Sequence, residues 1–403
     1  MVYSHLMKPL SLYLHIPFCV HRCAYCDFNT YAGLDHLIPG YVEALCREMD
    51  FISGIDGEKQ SIKTIFFGGG TPSLLTIPQI EGVLHKIDSC FRLLPGIEIT
   101  LEANPGTLSP DYLRNLALLG VNRLSLGMQS AHPRELRLLE RQHEFWDVIQ
   151  AVTWARQAGL DNINLDLIFG LPDQTLDEWK RNLSQALRLS PDHLSLYALT
   201  LEHGTPMEGW VMRGLLNQPD PDTAADMYEH AMEALGEVGY AQYEISNWAQ
   251  EGENGNPRAC LHNLQYWRNL PYIGVGAGAH GYLGGFRVAN VLAPGQYVRR
   301  YQHETGARSL AFPRTPSTIH LARIEAKEEI AETMMMGLRL VQEGVAADTF
   351  FRRFNRSLES IYGEQIHELI QLGLLEWTGE TDKSLRLTVK GRLLGNQVFM
   401  QFI

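Results

Sequence analysis

Long apolar runs are missing from this sequence, and so is any excess of positive charge. No stretch is hydrophobic over the roughly 18 residues that a membrane-spanning helix needs. The opening "MVYSHLMKPLSLYLHIPF" lacks the basic patch and uninterrupted apolar core of a secretory signal. These absences lead us to expect a soluble, cytoplasmic protein, any membrane contact being peripheral. The formal net charge of −12 works against a general affinity for nucleic acid. Cysteine is scarce, with six in 403 residues. In a reducing compartment, thiols that do cluster belong to a metal or redox centre rather than a disulfide framework.

What is present is ample core material, 45% of residues being hydrophobic. That suits a barrel of roughly 250 residues with a smaller companion domain. The acidity is uneven. From Arg299 onward 14 Lys and Arg face 13 Asp and Glu, leaving 20 against 33 in the body. The stretch "APGQYVRRYQHETGARSLAFPRTPS" reads as a linker or irregular surface segment at this shift.

Up to about residue 200, β-like runs alternate with amphipathic helical ones. The strand candidates are "LSLYLHIP", "IKTIFFGGG", "IEITLEAN", "RLSLGMQ", "NINLDLIFG" and "HLSLYALTLE". Six β-α repeats predict a parallel sheet, open or closed into a barrel. Polar residues gather at the C-terminal strand ends: Cys19, Gly68 to Thr71, Glu102, Gln129, Asp166 and Ala198 to Glu202. Convergence there is what an active site on a β/α barrel requires. After residue 315 the pattern predicts a long helix over "IEAKEEIAETMMMGLRLVQEGV", then a helix, a short hairpin and a helix. This end is winged-helix-like, and its charge balance favours packing or a lid over DNA binding.

Half of the thiols fall in one turn, "FCVHRCAYCDF", with Cys19, Cys23 and Cys26 spaced C-x3-C-x2-C. Three thiolates leave one iron of a [4Fe–4S] cluster open to an outside ligand. The competing readings are a structural zinc site completed by His21 or His15, and three unrelated thiols. Cys46, Cys90 and Cys260 are isolated and read as small core residues.

"YLHIPFCVHRCAYCDF" resembles the signature of radical S-adenosylmethionine (SAM) enzymes, and Tyr25 before Cys26 fits the pattern. In that family the open iron is chelated by SAM, which electron transfer cleaves to a 5′-deoxyadenosyl radical. "FFGGGTPS", one β-α unit later, is similar to the family's glycine-rich SAM motif, where glycines let backbone approach the ligand. "LEANPGT", "LSLGMQS", "LLERQH" and "NLDLIFGLPDQT" resemble oxygen-independent coproporphyrinogen dehydrogenase and its paralogues over about residues 11–177. The resemblance implies SAM contacts from Tyr13, Gly69, Gly70, Thr71, Glu102, Gln129, Arg141 and Asp166. Acidic side chains suit ribose hydroxyls or the ammonium, and Arg141 suits the carboxylate.

The dehydrogenase signature continues to a further cysteine two positions on, where this chain has Phe28. That departure resembles the HemW-type paralogues, haem chaperones, as does "HNLQYW" from His262 to Trp267. In that subgroup the H-N-x-x-Y-W motif is tied to haem. By its chemistry His262 is a candidate axial ligand, with Tyr266 and Trp267 as flat surfaces against a porphyrin. A satisfied core histidine is the plainer alternative. The glycine-rich "PYIGVGAGAHGYLGG" fits either ligand approach or strand packing.

The fold expected is therefore α/β: a partial (β/α)6 radical SAM barrel over 9–250, a connecting segment over 251–315, and a mainly helical domain over 316–403. The function expected is a haem chaperone with a [4Fe–4S] cluster, SAM and haem, whose partners are haem and haem-receiving apoproteins and not nucleic acid. The alternatives are a coproporphyrinogen dehydrogenase, another radical SAM enzyme, and a non-catalytic regulator. Whether SAM is cleaved and the oligomeric state stay open.

Overall fold

The computed structural model describes residues 9–53, 59–252, 258–302, 313–379 and 383–403. The chain folds into two compact units, each built from two stretches: Met1–Met227 with Pro271–Ala322, and Tyr228–Leu270 with Arg323–Ile403.

In the first unit six parallel strands lie side by side in sequence order. They are β1 (Leu10–Ile16), β2 (Ser61–Gly69), β3 (Arg92–Ala103), β4 (Arg123–Gln129), β5 (Ile163–Phe169) and β6 (His193–Ala198). Side chains alternate across such strands, and here the alternation divides apolar from polar. Leu12, Leu14, Ile65, Phe67, Leu124, Leu165, Leu167 and Leu194 fill one face and are buried. On that face Phe169 meets Trp179 of the following helix, with ring centroids 5.2 Å apart. The other face carries Ser11, Tyr13, His15, Thr64, Thr100, Glu102, Ser125, Asn164, Asp166, His193 and Ser195. Several of these bond across strands, for example Thr64 Oγ1 to Ser11 Oγ at 2.6 Å and Ser125 Oγ to Asp166 Oδ2 at 2.9 Å. A polar inner face is what prepares this barrel for a polar ligand. The fold expected from the β-α alternation is the one formed.

On the outer side of β1, the parallel strand β7 (Tyr272–Val275) adds to the sheet. Beyond it come β8 (His280–Leu283), β9 (Phe286–Asn290) and β10 (Thr318–Arg323). Residues 251–315, expected as a connecting segment, thus supply strands to this sheet. Their glycines serve packing: a Cβ on Gly274 would lie 1.8 Å from His280 O, and one on Gly276 2.6 Å from His15 O. Pro294–Gln302, within the expected linker, is a helix that buries Tyr297 and Tyr301. Within that linker, residues 303–312 lie outside the described residues.

Both pieces of this unit are joined at Glu48 on helix α1 (Ile38–Ser53). Its buried carboxylate accepts from Gly276 N (2.9 Å), Asn290 Nδ2 (2.8 Å), Tyr297 Oη, Thr315 Oγ1 (3.0 Å) and Ser317 Oγ (2.6 Å). Five donors on one carboxylate satisfy a charge that burial would otherwise make costly.

The second unit has a core around Met334, Leu338, Phe350, Leu358, Leu385, Leu387 and Phe402. The helix expected through Val345 stops at Gly337. Beyond it Val341 N bonds to Tyr243 O, a partner outside any helix. The end of the chain carries the expected helix, hairpin and helix: Leu358–Gln371, strands Leu375–Thr378 and Ser384–Leu387, and short helices after Thr388. Val345–Ala346 adds a third antiparallel strand, completing the winged-helix-like pattern.

Candidate functional site

The cysteine loop leaves β1 and is pinned by backbone. Phe18–Cys19 pairs in parallel with Tyr31–Ala32, and Tyr31 N bonds to Pro17 O at 2.7 Å. Gly70 N reaches Ile16 O and Thr71 N reaches Phe18 O, each at 2.8 Å, so the glycine run and the cysteine loop form one layer. All six cysteines are free thiols. Thr71 Oγ1 donates to Cys19 Sγ at 3.6 Å, Arg141 Nη1 donates to Cys23 Sγ at 3.5 Å, and Thr30 Oγ1 lies 3.8 Å from Cys26 Sγ. Burial pushes the Cys19 and Cys26 thiols up, and each also feels its neighbours' charge. Sulfur crowded by hydroxyls and a guanidinium is sulfur set up to carry negative charge on a metal.

The strand ends bring the other expected residues to the same place. Gly69 N donates to Glu102 Oε2 at 3.1 Å. Burial, then the nearby Asp166 charge, pushes the Glu102 carboxyl up to about 8. Burial raises Asp166 as well, against bonds from Ser125, Ser195 and Asn164 that favour its anion. Two neighbouring buried carboxyls make a site that a cation would relieve. Tyr13 is raised by burial and by Glu102, and its hydroxyl contacts His15 Nδ1 at 2.9 Å. Tyr25 is also raised by burial, with Arg141, Cys23, Cys26 and Asp166 all acting on it. Arg141 Nη2 donates to Gly127 O at 2.8 Å, beside the Gln129 amide.

Gly69 and Gly70 are needed by the fold itself. A Cβ on Gly70 would sit 2.6 Å from Phe18 O, and one on Gly69, where φ is +111°, 2.5 Å from His15 Cε1. The crowding is with the strand and loop that carry the cysteines.

The zinc alternative finds its two histidines engaged elsewhere. His21 Nε2 lies 3.3 Å from Glu140 Oε2, and His15 Nε2 contacts Asn29 O at 3.0 Å. Among the described residues no three His, Cys, Asp or Glu side chains close around a single ion.

His262 lies in the second unit, on the helix Leu261–Trp267. It is buried, with Nε2 2.9 Å from Tyr266 Oη and the two rings edge-on at 5.0 Å. Burial lowers its pKa to about 3. Trp267 packs under the Arg339 guanidinium, 4.6 Å from its ring centroid. In this arrangement His262 is a satisfied core histidine, and iron ligation through Nε2 requires that nitrogen to exchange Tyr266 for the metal. Arg268 to Glu343 (2.7 Å) and Arg353 to Asn269 O (2.9 Å) hold the helix's end in place.

Residues 13–186 match the model of the Radical SAM superfamily, and 324–394 that of the HemN C-terminal domain. The Heme chaperone HemW of Lactococcus lactis is 39% identical over 398 residues, covering 99% of this chain and 98% of its own length. That of Bacillus subtilis is 37% identical over 394 residues, covering 98% and 99%. The chain belongs to the HemW family. The solved coproporphyrinogen III oxidase (HemN) of Escherichia coli shares the fold, with a TM-score of 0.81 at 22% identity, covering 98% of this chain and 90% of that one.

Membership of the radical SAM superfamily implies a [4Fe–4S] cluster and SAM, and the residues fit both. Three free thiols in one pinned loop match the cluster's donors. Glu102 and Asp166 match a sulfonium and an ammonium, and the buried Arg141 Nε, which has no hydrogen-bond partner, matches a carboxylate.

Sequence reasoning missed Thr30, Asn164 and His143, and named His15 only as a candidate zinc ligand. The signal for Asn164 was available, since it sits two residues before Asp166 and so shares its strand face. Among the described residues no helix is long and apolar enough to cross a membrane.

Proposed function

We propose that this protein is a cytoplasmic haem chaperone that holds a [4Fe–4S] cluster and SAM and hands haem to apoproteins. The observation that carries the reading is the end-to-end likeness to proteins called Heme chaperone HemW, at 39% identity over 398 residues. Cys19, Cys23 and Cys26 bind the cluster, which when present supplies an electron at its open iron. Glu102 and Asp166 hold the cationic end of SAM, and Arg141 and Gln129 hold its polar atoms. Thr71 supports Cys19, while Tyr13 and Tyr25 wall the site. His262, with Tyr266 and Trp267, contributes to haem binding.

Phe28 supports a chaperone over a dehydrogenase. It stands where the dehydrogenase signature has a further cysteine, and it is exposed, offering a hydrocarbon ring and no ligand. The test is anaerobic reconstitution followed by a haem titration and a coproporphyrinogen assay on one sample. Haem binding without turnover is the expected result; decarboxylation of coproporphyrinogen III with SAM and a reductant would overturn the reading.

A further inference from the structure

The end of β4 is irregular in a way that serves the site. Its pairing with β5 jumps from Leu126 opposite Leu165 to Gln129 opposite Leu167, so one extra residue is accommodated in a bulge. Gln129 closes the bulge at φ +60°, a left-handed backbone that side chains rarely adopt. Something must hold it there, and two side chains grip the bulge by its carbonyls. Arg141 Nη2 donates to Gly127 O at 2.8 Å, and His143 Nε2 lies 3.1 Å from Met128 O. Ser130 N bonds to the same Met128 oxygen at 2.7 Å. A Cβ on Gly127 would lie 3.0 Å from Gln129 Nε2 and 3.1 Å from Arg141 Nη2, which marks how closely those two side chains converge. The same guanidinium reaches Cys23 Sγ.

We propose that His143 is a positioning residue for the SAM site: by holding Met128 O it fixes the bulge that sets Gln129 beside Arg141. This rests on the reading that Gln129 and Arg141 bind SAM. His143 is only 3% exposed. Burial lowers its pKa to about 4, so the ring is neutral at ordinary pH. Nδ1 is buried without a partner, which places the one proton on Nε2, since an orphaned acceptor costs less than an orphaned N–H. The imidazole is therefore a single-donor clamp. Leucine fills similar space without a donor, whereas a glutamine amide nitrogen can reach the place of Nε2.

The test compares His143→Leu with His143→Gln in reconstituted protein. In His143→Leu, SAM affinity should fall at least tenfold with iron content unchanged, and a crystal structure should show Gln129 leaving φ near +60°. His143→Gln should restore affinity to within about threefold and return the bulge. Gln129 unmoved in His143→Leu, or a His143→Gln variant as weak as the leucine one, would overturn the proposal. The backbone readout stands without SAM, so a wild-type protein that binds no SAM would count against the proposed function and leave the clamp to be judged by Gln129.

Discussion

Glu102 shows how much one side chain can reveal about the ligand it awaits. Its carboxyl titrates near 8 in the folded protein because it is buried and because Asp166 is close. Between the ordinary carboxylate range and pH 8 the unfolded chain has shed a proton that the fold retains. The cofactor-free protein should therefore lose stability as pH rises through that window, and level off above it. Glu102→Gln keeps an acceptor for Gly69 N and removes the charge. Thermal melts should show the variant stabilised at pH 8.5 and unchanged at pH 4, while its SAM affinity falls about tenfold or more. A pH profile identical to wild type would mean that Glu102 ionises normally. The cysteines make a second residue-scale case. Cys19→Ser, Cys23→Ser and Cys26→Ser should each abolish the cluster's visible absorbance and its roughly four irons. Cys90→Ser should not, because Cys90 is buried beside Asp50 on a different helix pair. Zinc in the purified protein with no iron uptake would sink the assignment.

At the scale of elements, what could be read in advance depended on periodicity. The six barrel strands were legible because each is enriched in β-branched, leucine or aromatic residues between Gly, Pro or Asn, and polar residues gather toward their C-terminal ends. Glu102, Gln129 and Asp166 were placed on their strands by that pattern, whereas Tyr13 came only with the family resemblance, and the bulge that turns Gln129 was not foreseen. Tyr272–Asn290 was illegible for the opposite reason. Its strands run to five residues at most, and its glycines exist to let backbone approach backbone, which looks like loop in a sequence. The tie that secures these strands is Glu48, a charged residue in an amphipathic helix that nothing local marks as buried. An amide there would turn an N–H toward at least one of the five donors. Glu48→Gln should accordingly destabilise the first unit by about 2–3 kcal/mol. Urea titration would measure it, and a midpoint matching wild type would show that Glu48 does not secure these strands.

For the whole molecule, the cluster residues and His262 belong to different compact units, and this separates two claims that the family resemblance had joined. If His262 ligates haem through Nε2, that nitrogen must first leave the Tyr266 hydroxyl, which now holds it at 2.9 Å. His262→Ala should then weaken haem binding or shift the Soret band, with iron–sulfur absorbance intact, since the two sites share no ligand. Tyr266→Phe sharpens the test: it removes one competitor for Nε2 and keeps the aromatic surface, so haem affinity should hold or rise. If His262 is only a core residue, both substitutions should lower stability and leave the haem spectrum alone. The haem spectrum distinguishes the two cases, and circular dichroism melts only establish that the variant is folded, because the alanine variant removes a buried ring and should cost stability either way. An unaltered Soret band in a folded His262→Ala protein would move the haem ligand elsewhere without touching the cluster.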